Sequence, residues 1–366
     1  MANDLGLKNS FVSRVYGPLQ EYRGSDATPG KEIGLIEFMN ESGITNGAEP
    51  MTWEKLFNEL GLPSDANLSL GHLLSLSGDV TYLAPEIVRE FIVRGMDLNA
   101  RYTDLIMGTE NVSSLDVSAP YIDYLNPKPV AIAEAETIPV AKYTWGKKSI
   151  TLRKKAIGLD WSDELILSVK LPLLRQWLQR VGVELNAMLY SAAVTTLSSG
   201  DQVDGSDAVS VVGVASAGTL TFADLVRLWV RAQLIGAEWR SLITNETMAN
   251  GLLALAEFKP TAGGLGGAAV NLDIRNKVVP NQLPHFMSST LTDNQVLLFD
   301  PSQSLLYLVF RPLLVESDRI MQRQVNGVYC SIMSGFTTVE RKARIAIDKS
   351  KAFSGYGFPS WMEPLV

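Results

Sequence analysis

Cysteine, histidine and long apolar runs are what this sequence lacks. Its one cysteine, Cys330, excludes an intrachain disulfide and a cysteine-rich metal site. Its two histidines, His72 and His285, are far apart in the chain, which disfavours catalysis built on a histidine base. No stretch of about 18 apolar residues occurs, so no membrane-spanning helix is predicted. The first residues show no secretory signal pattern. We therefore expect a soluble, cytoplasmic protein.

Motifs for catalysis and cofactor binding are equally scarce. Neither a G-x-S-x-G elbow nor a Walker phosphate loop is present. Residues 264–269 match a dinucleotide fingerprint formally, but they lack the preceding strand and the following helix that would hold a pyrophosphate. Asp201, Asp204 and Asp207 lack the spacing and the closing glutamate of a calcium loop. We expect no enzymatic activity, cofactor or metal, with packing or surface histidines and a buried, inert Cys330.

The composition is that of a globular chain with modest charge. Apolar residues make up 46% of the sequence and charged residues 19%, with a net charge of −7. A chain of 366 residues can form two or three units with their own cores. The low charge suits a subunit that buries surface against copies of itself. The acidic balance argues against a protein whose main role is to read nucleic acid.

The pattern of helices and strands predicts the α+β class. Residues 1–115 alternate short helical segments with Gly and Pro connections, and we interpret them as an extended arm that packs on other parts of an assembly. A small helical domain is the alternative. Ser162 is a good N-cap for a short helix, and Pro172–Leu197 predicts a long one. Residues 200–310 mix strands and helices without regular alternation, and further strands follow.

The most unusual stretch is basic. Between residues 137 and 159 there are six basic side chains and no acid, namely Lys142, Lys147, Lys148, Arg153, Lys154 and Lys155. The alternation around Ile150 and Leu152 predicts a two-stranded ribbon with a turn at Trp145–Gly146. An isolated hairpin is marginal in water, so we expect a neighbouring subunit to hold it.

Charge alone leaves three interpretations of this ribbon open. It could contact nucleic acid, with Trp145 as a stacking platform. It could be a solvated edge whose lysines block aggregation. It could be an intersubunit contact that meets an acidic patch on a neighbour.

The order of segments along the chain carries a resemblance to a known family. ITLRKKAIGLDWSDELI, WRSLITNETMANGLLAL, VLLFDPSQSLLYLVFRP and VERKARIAIDKSKAF follow one another within residues 120–353. This series resembles the major capsid proteins of tailed phages with the Hong Kong 97 fold. In that resemblance the first segment is the extended loop running into the spine helix, and the second is a strand and helix of the axial domain. The third is a returning strand pair, and the fourth is the final strand of the peripheral domain.

The resemblance implies a division of the chain into four parts. Residues 1–119 would form the extended N-terminal arm, and residues 120–160 the extended β-hairpin loop. Residues 161–200 and 321–366 would form the peripheral domain with its spine helix, and residues 201–320 the axial domain. The arm does not resemble the charged, heptad-like scaffolding segment that some members remove. We therefore expect it to be retained in the shell.

The resemblance also implies a function. The protein would self-assemble into hexamers and pentamers of an icosahedral shell around phage double-stranded DNA. The alternative is an encapsulin, a nanocompartment shell holding a cargo enzyme. Expected partners are copies of itself, portal and scaffolding proteins, and DNA without sequence specificity, but no membrane. The protein would be located in the virion capsid, and the capsid would assemble in the bacterial host cytoplasm. The intersubunit contact is assigned to Lys142, Trp145, Lys147, Lys148, Arg153, Lys154 and Lys155.

Overall fold

The structure is a computed structural model that describes most of the chain. Apart from single positions near both ends, it describes residues 34–44, 50–60, 83–98, 101–125, 142–162, 170–201, 208–255, 283–320 and 325–359. The helices are α1 Leu35–Glu41, α2 Trp53–Leu60, α3 Leu83–Asp97, α4 Leu171–Ser199, α5 Phe222–Ile235 and α6 Glu246–Leu253. The strands are β1 Gly108–Asn111, β2 Asp116–Leu125, β3 Lys142–Thr151, β4 Arg153–Ser162, β5 Val211–Val214, β6 Ser241–Thr244, β7 His285–Met287, β8 Gln295–Phe299, β9 Leu305–Ile320, β10 Val325–Thr338 and β11 Arg344–Ala352. The predicted α+β class is confirmed.

The longest helix that the structure describes is α4. It has 29 residues and is about 44 Å long at 1.5 Å per residue. Pro172 lies in its first turn, where the missing N–H is not needed. The predicted helix Pro172–Leu197 is therefore confirmed. Ser162, the predicted N-cap, is the last residue of β4 and pairs with Val325 of β10. Residues 163–169, where its short helix is predicted, lie outside the described chain, so that cap stays a prediction.

The N-terminal helices pack on α4 of the same chain. Phe91 of α3 and Leu178 of α4 are fully or nearly fully buried in one core with side chains of α1 and α2. α3 and α4 cross where Gly95 meets Gly182, so closely that a Cβ on either glycine would contact the backbone of the other helix. Our interpretation of an extended arm is wrong for the described residues. Their apolar faces are buried against their own subunit.

A four-stranded sheet lies beside this helical layer, in the order β1-β9-β10-β4. β9 and β10 form its long central pair. β4 pairs with β10 over ten residue pairs from Arg153 to Ser162 and forms one edge. The resemblance places the end of the axial domain at residue 320. However, β9 pairs antiparallel with β10, beyond that boundary, from Ile320–Val325 to Leu305–Thr338.

A five-stranded sheet, in the order β5-β11-β8-β6-β7, shares a second core with α5 and α6. Its second strand is β11, which the resemblance assigns to the peripheral domain. Residues 344–348 of β11 are all buried. Ala346 belongs to the first core, whereas Ile345 and Ile347 belong to the second. A strand covered on both faces needs such a continuous buried run, which explains why β11 lies between the two layers.

Candidate subunit interface

The third sheet is the hairpin of β2 and β3. Ten residue pairs join the strands, from Asp116–Thr151 at the base to Leu125–Lys142 at the far end. The predicted turn at Trp145–Gly146 is wrong. These residues lie within β3 opposite Ile122 and Tyr121. The partner of β3 is the upstream segment 116–125, not the downstream basic strand.

The base of the hairpin is anchored in the subunit. Ile150 and Leu152 are buried in a small cluster with Leu308 of β9. The backbone N–H of Leu152 donates to the carbonyl of Leu115 at 2.9 Å. The Thr151 hydroxyl donates to the carboxylate of Asp116, also at 2.9 Å. Beyond this base, no described strand joins the two-stranded sheet.

The seven predicted contact residues fall on two different elements. Four belong to the hairpin strand β3, namely Lys142, Trp145, Lys147 and Lys148. Three belong to β4 in the four-stranded sheet, namely Arg153, Lys154 and Lys155. The structure therefore divides the predicted ribbon between the two-stranded sheet and the edge of the four-stranded sheet. Only Leu152 separates the two strands in the chain.

The three basic residues of β4 differ in their surroundings. Arg153 and Lys154 are exposed. Lys155 is half-buried, and its Nζ donates to the carbonyl of Ser334 at 3.4 Å and lies 5.7 Å from the centroid of the Phe336 ring. Burial, with a smaller effect from Arg153, lowers the pKa of Lys155 to about 8. The Lys155 ammonium group therefore contacts its own chain.

A second exposed surface was missed by the sequence reasoning. Val226, Val230 and Leu234 follow one another at four-residue spacing on α5 and are 39%, 53% and 55% exposed. They lie opposite the core-facing side of the helix. The two arginines of α5, Arg227 and Arg231, lie over aromatic rings of the C-terminal segment. The detectable signal was the apolar spacing of four on the face away from Leu225 and Leu228.

Of the remaining candidate groups, His285 and Cys330 are buried, and Asp201 is half-buried. His285 is buried on β7, its Nε2 lies 2.7 Å from the hydroxyl of Thr244, and burial lowers its pKa. Cys330 is buried in β10, and burial raises its pKa to about 12. His72 and residues 264–269 lie outside the described chain, as do Asp204 and Asp207. The described residues contain no cluster of three or more His, Cys, Asp or Glu that could hold a metal.

None of the helices described is both long and apolar enough to cross a membrane.

Comparison with known sequences gives one family. Residues 146–347 match the model of a family described as phage capsid protein. The match includes most of β3, all of β4 and α4, and ends within β11. No curated protein matches the chain significantly.

Comparison with solved structures finds likenesses at low sequence identity. The capsid of a native GTA particle has a TM-score of 0.51 and 17% identity, with 67% of this chain and 90% of that chain covered. The capsid of an empty GTA particle has a TM-score of 0.50 and 16% identity, with 68% and 90% covered. The holo-SrpI encapsulin complex from Synechococcus elongatus PCC 7942 has a TM-score of 0.47 and 13% identity, with 68% and 87% covered.

Proposed function

This chain belongs to the phage capsid protein family, and we propose that it assembles into hexamers and pentamers of an icosahedral shell around phage double-stranded DNA. Its Hong Kong 97-like capsid fold is confirmed by the long helix, the mixed sheets and the likeness to the GTA capsid. The protein is a capsid shell component and therefore structural. The shell geometry and its contents are the proposal.

The observation that carries the proposal is the two-stranded hairpin. A hairpin of two strands is at best marginally stable in water, because each strand has a free edge and little apolar surface is buried. The described side chains at its base pack in the cluster around Ile150 and Leu308. No described strand joins the two-stranded sheet, and a neighbouring copy that covers it would stabilise its edges.

The residues proposed for this contact follow from their placement. Lys142, Trp145, Lys147 and Lys148 lie along the hairpin, and Arg153 and Lys154 are exposed on the adjoining sheet edge. Lys155 contacts Ser334 of its own chain, so its role is to hold β4 in place beside the contact. We propose the sheet of β5, β11, β8, β6 and β7 as the axial domain. The four-stranded sheet with α4 is then the peripheral domain.

The other proposed partners are those with which a capsid shell assembles and those that it encloses. They are portal and scaffolding proteins during assembly in the bacterial host cytoplasm, and packaged DNA in the virion. DNA would be held without sequence specificity. A net charge of −7 opposes tight binding to phosphates, which suits a wall that encloses DNA and releases it.

Electron microscopy of the recombinant protein tests the proposal. We expect closed particles of uniform diameter. A matched variant with residues 121–146 replaced by a short Gly-Ser turn keeps the paired base of the hairpin. It should fold, as judged by circular dichroism, but should form no particles. A wild-type protein that remains monomeric and never forms rings or shells would refute the proposed assembly. Particles that hold a cargo enzyme instead of DNA would favour an encapsulin.

A further inference from the structure

The chain passes three times between α4 with the four-stranded sheet and the five-stranded sheet. Among the described elements, these passages connect α4 to β5, β8 to β9 and β10 to β11. Two of the passages are tied to each other by backbone hydrogen bonds. The N–H of Asp300 donates to the carbonyl of Ala343 at 2.8 Å, and the N–H of Val339 donates to the carbonyl of Ser304 at 3.1 Å. These passages therefore meet in one junction between the two sheets.

Arg344, the first residue of β11, is buried at this junction. Its Nη1 donates to the carbonyls of Thr196 and Leu197, at 3.0 and 2.7 Å. Both carbonyls belong to the last turn of α4, which contains no basic residue. The C-terminal end of a helix carries partial negative charge and carbonyls without helical partners. Arg344 therefore supplies, from a strand far along the chain, the cation that the end of α4 lacks.

A second polar contact attaches α4 to the same sheet. The hydroxyl of Tyr190 donates to the carbonyl of Met287 at 3.0 Å. Met287 belongs to the edge strand β7, whereas Arg344 belongs to β11, three strands away in the order β5-β11-β8-β6-β7. The C-terminal part of α4 thus crosses the sheet and is held by polar contacts at two points. From Tyr190 to Thr196, six residues at 1.5 Å each, these points are about 9 Å apart along the helix.

The apolar contacts between α4 and the sheet do not set an angle by themselves. Leu197 lies in one core with Phe299 of β8 and Ala346 of β11. Hydrophobic attraction is non-directional, so it tolerates a small tilt of the helix. Hydrogen bonds from a charged donor are short and need good alignment. If the contact at Arg344 lengthened by about 1 Å while Tyr190 stayed fixed, α4 would tilt by roughly 6°.

We propose that Arg344 is a positioning residue for assembly, which fixes the tilt of α4 against the five-stranded sheet and thereby gives the particles a uniform diameter. This inference rests on the proposed function. Because α4 shares one core with the four-stranded sheet, its tilt moves that sheet and the adjoining hairpin relative to the five-stranded sheet. Rings and shells close only when each interface repeats with the same rotation. A tilt that varies from subunit to subunit would add up around a ring and prevent one common closure.

Two substitutions separate the geometry of Arg344 from its charge. Arg344→Lys keeps a cation at the end of α4, but the lysine side chain is one atom shorter and has no planar guanidinium. Arg344→Met loses the cation and both hydrogen bonds. If Arg344 only neutralised the helix end, Arg344→Lys would behave like the wild type. If Arg344 fixes the tilt, both variants should change it, and Arg344→Lys decides should Arg344→Met fail to fold.

Spin labels report the tilt in the unassembled subunit. Gln176→Cys on α4 and Gln233→Cys on α5 place them at exposed positions, while the buried Cys330 stays unlabelled. Pulsed electron paramagnetic resonance then gives the distance between the labels, and we expect one narrow distribution with Arg344 in place. In both Arg344 variants the distribution should broaden. Its maximum should shift by up to roughly 2 Å for a tilt of about 6°, because Gln176 lies 14 residues before Tyr190, about 21 Å along the helix.

Leu252→Ala is the matched control. Leu252 of α6 is buried in the second core, so its truncation destabilises the subunit in a core that α4 does not share. The distance distribution of this control should stay narrow, and electron microscopy should show particles of uniform diameter. The Arg344 variants should instead form particles of several diameters or open sheets.

The outcomes separate this inference from the proposed function. Arg344→Lys subunits with the wild-type distance, or Arg344 variants whose particles keep the one wild-type diameter, would overturn the inference. An equal broadening in Leu252→Ala would also overturn it, since a general loss of stability would then explain the change. A wild-type protein that forms no particles would refute the proposed function, while the label distance still decides whether Arg344 fixes the tilt.

Discussion

The crossing of α3 and α4 gives the sharpest stability prediction. At Gly182, a Cβ would lie 2.7 Å from the backbone nitrogen of Met96 and even closer to the carbonyl oxygen of Ile92. Real Cβ atoms essentially never come within 3.0 Å of such neighbours. Because the obstructing atoms are backbone, no side chain can rotate away. Gly182→Ala must therefore push the two helices apart.

The magnitude follows from two opposing effects. Carbon contacts are optimal at about 3.5–4.0 Å, so the helices must separate by roughly 1 Å. Overpacking of this kind costs about 1–3 kcal/mol. Alanine in a helix gains up to about 1 kcal/mol over glycine, which offsets part of that cost. Once the full helix gain is subtracted, Gly182→Ala should lower the free energy of unfolding by up to about 2 kcal/mol.

Gly251 in α6 supplies the matched control, because a Cβ there meets nothing within 4 Å. Gly251→Ala should raise the free energy of unfolding by up to about 1 kcal/mol. Urea titration of the unassembled subunits, followed by circular dichroism, measures both changes. The reasoning fails if Gly182→Ala is as stabilising as Gly251→Ala, since α3 and α4 would then not be in backbone contact.

Three further predictions concern basic side chains that are wholly or partly buried. Arg344→Met should lower the free energy of unfolding by about 2–4 kcal/mol in urea titration, because the Arg344 guanidinium donates to two carbonyls at the C-terminal end of α4, at 3.0 and 2.7 Å. Lys155 has a folded pKa of about 8 against about 10.4 unfolded, so wild-type melting temperatures should rise between those pH values, and Lys155→Met should abolish that rise. Burial lowers the folded pKa of His285. Below pH about 6.5 the unfolded chain therefore binds a proton that the folded protein does not, and the stability of the folded protein falls with pH. His285→Gln should flatten the decrease in melting temperature between about pH 7 and 5, and an equally steep decrease would contradict this.

Local signals predicted the helices well. Thr221 and Asp224 form the capping box that begins α5, and Asn245 accepts from the backbone N–H of Met248 at the start of α6. Both caps depend on residues three positions apart, which is why the sequence reveals them. The run from Pro172 to Leu197 predicted α4, because the absence of a strong helix breaker is also a local property of the sequence. Composition alone also identified the basic stretch.

Strand partners could not be predicted in this way. An alternating pattern shows which residues share a face, but it does not identify the strand that pairs with them. We expected the chain to turn at Trp145–Gly146 and to pair with itself across that turn. Instead β3 runs through these residues and pairs with β2, and β4 pairs with β10, more than 160 residues away. The position of β11 between two layers could not be predicted from the sequence either, because its two faces are buried in two separate cores.

The sequence by itself determined the helices, the class of the fold and the position of the basic charge, because these depend on neighbours within a few residues. Only the tertiary structure decided which charges face outward. It directs the Lys155 ammonium group to Ser334 of its own chain and leaves Lys154 exposed. It also brings Glu37 near Asp97, 60 positions apart in the sequence. Such contacts depend on the packing of elements far apart in the chain, which no local pattern encodes.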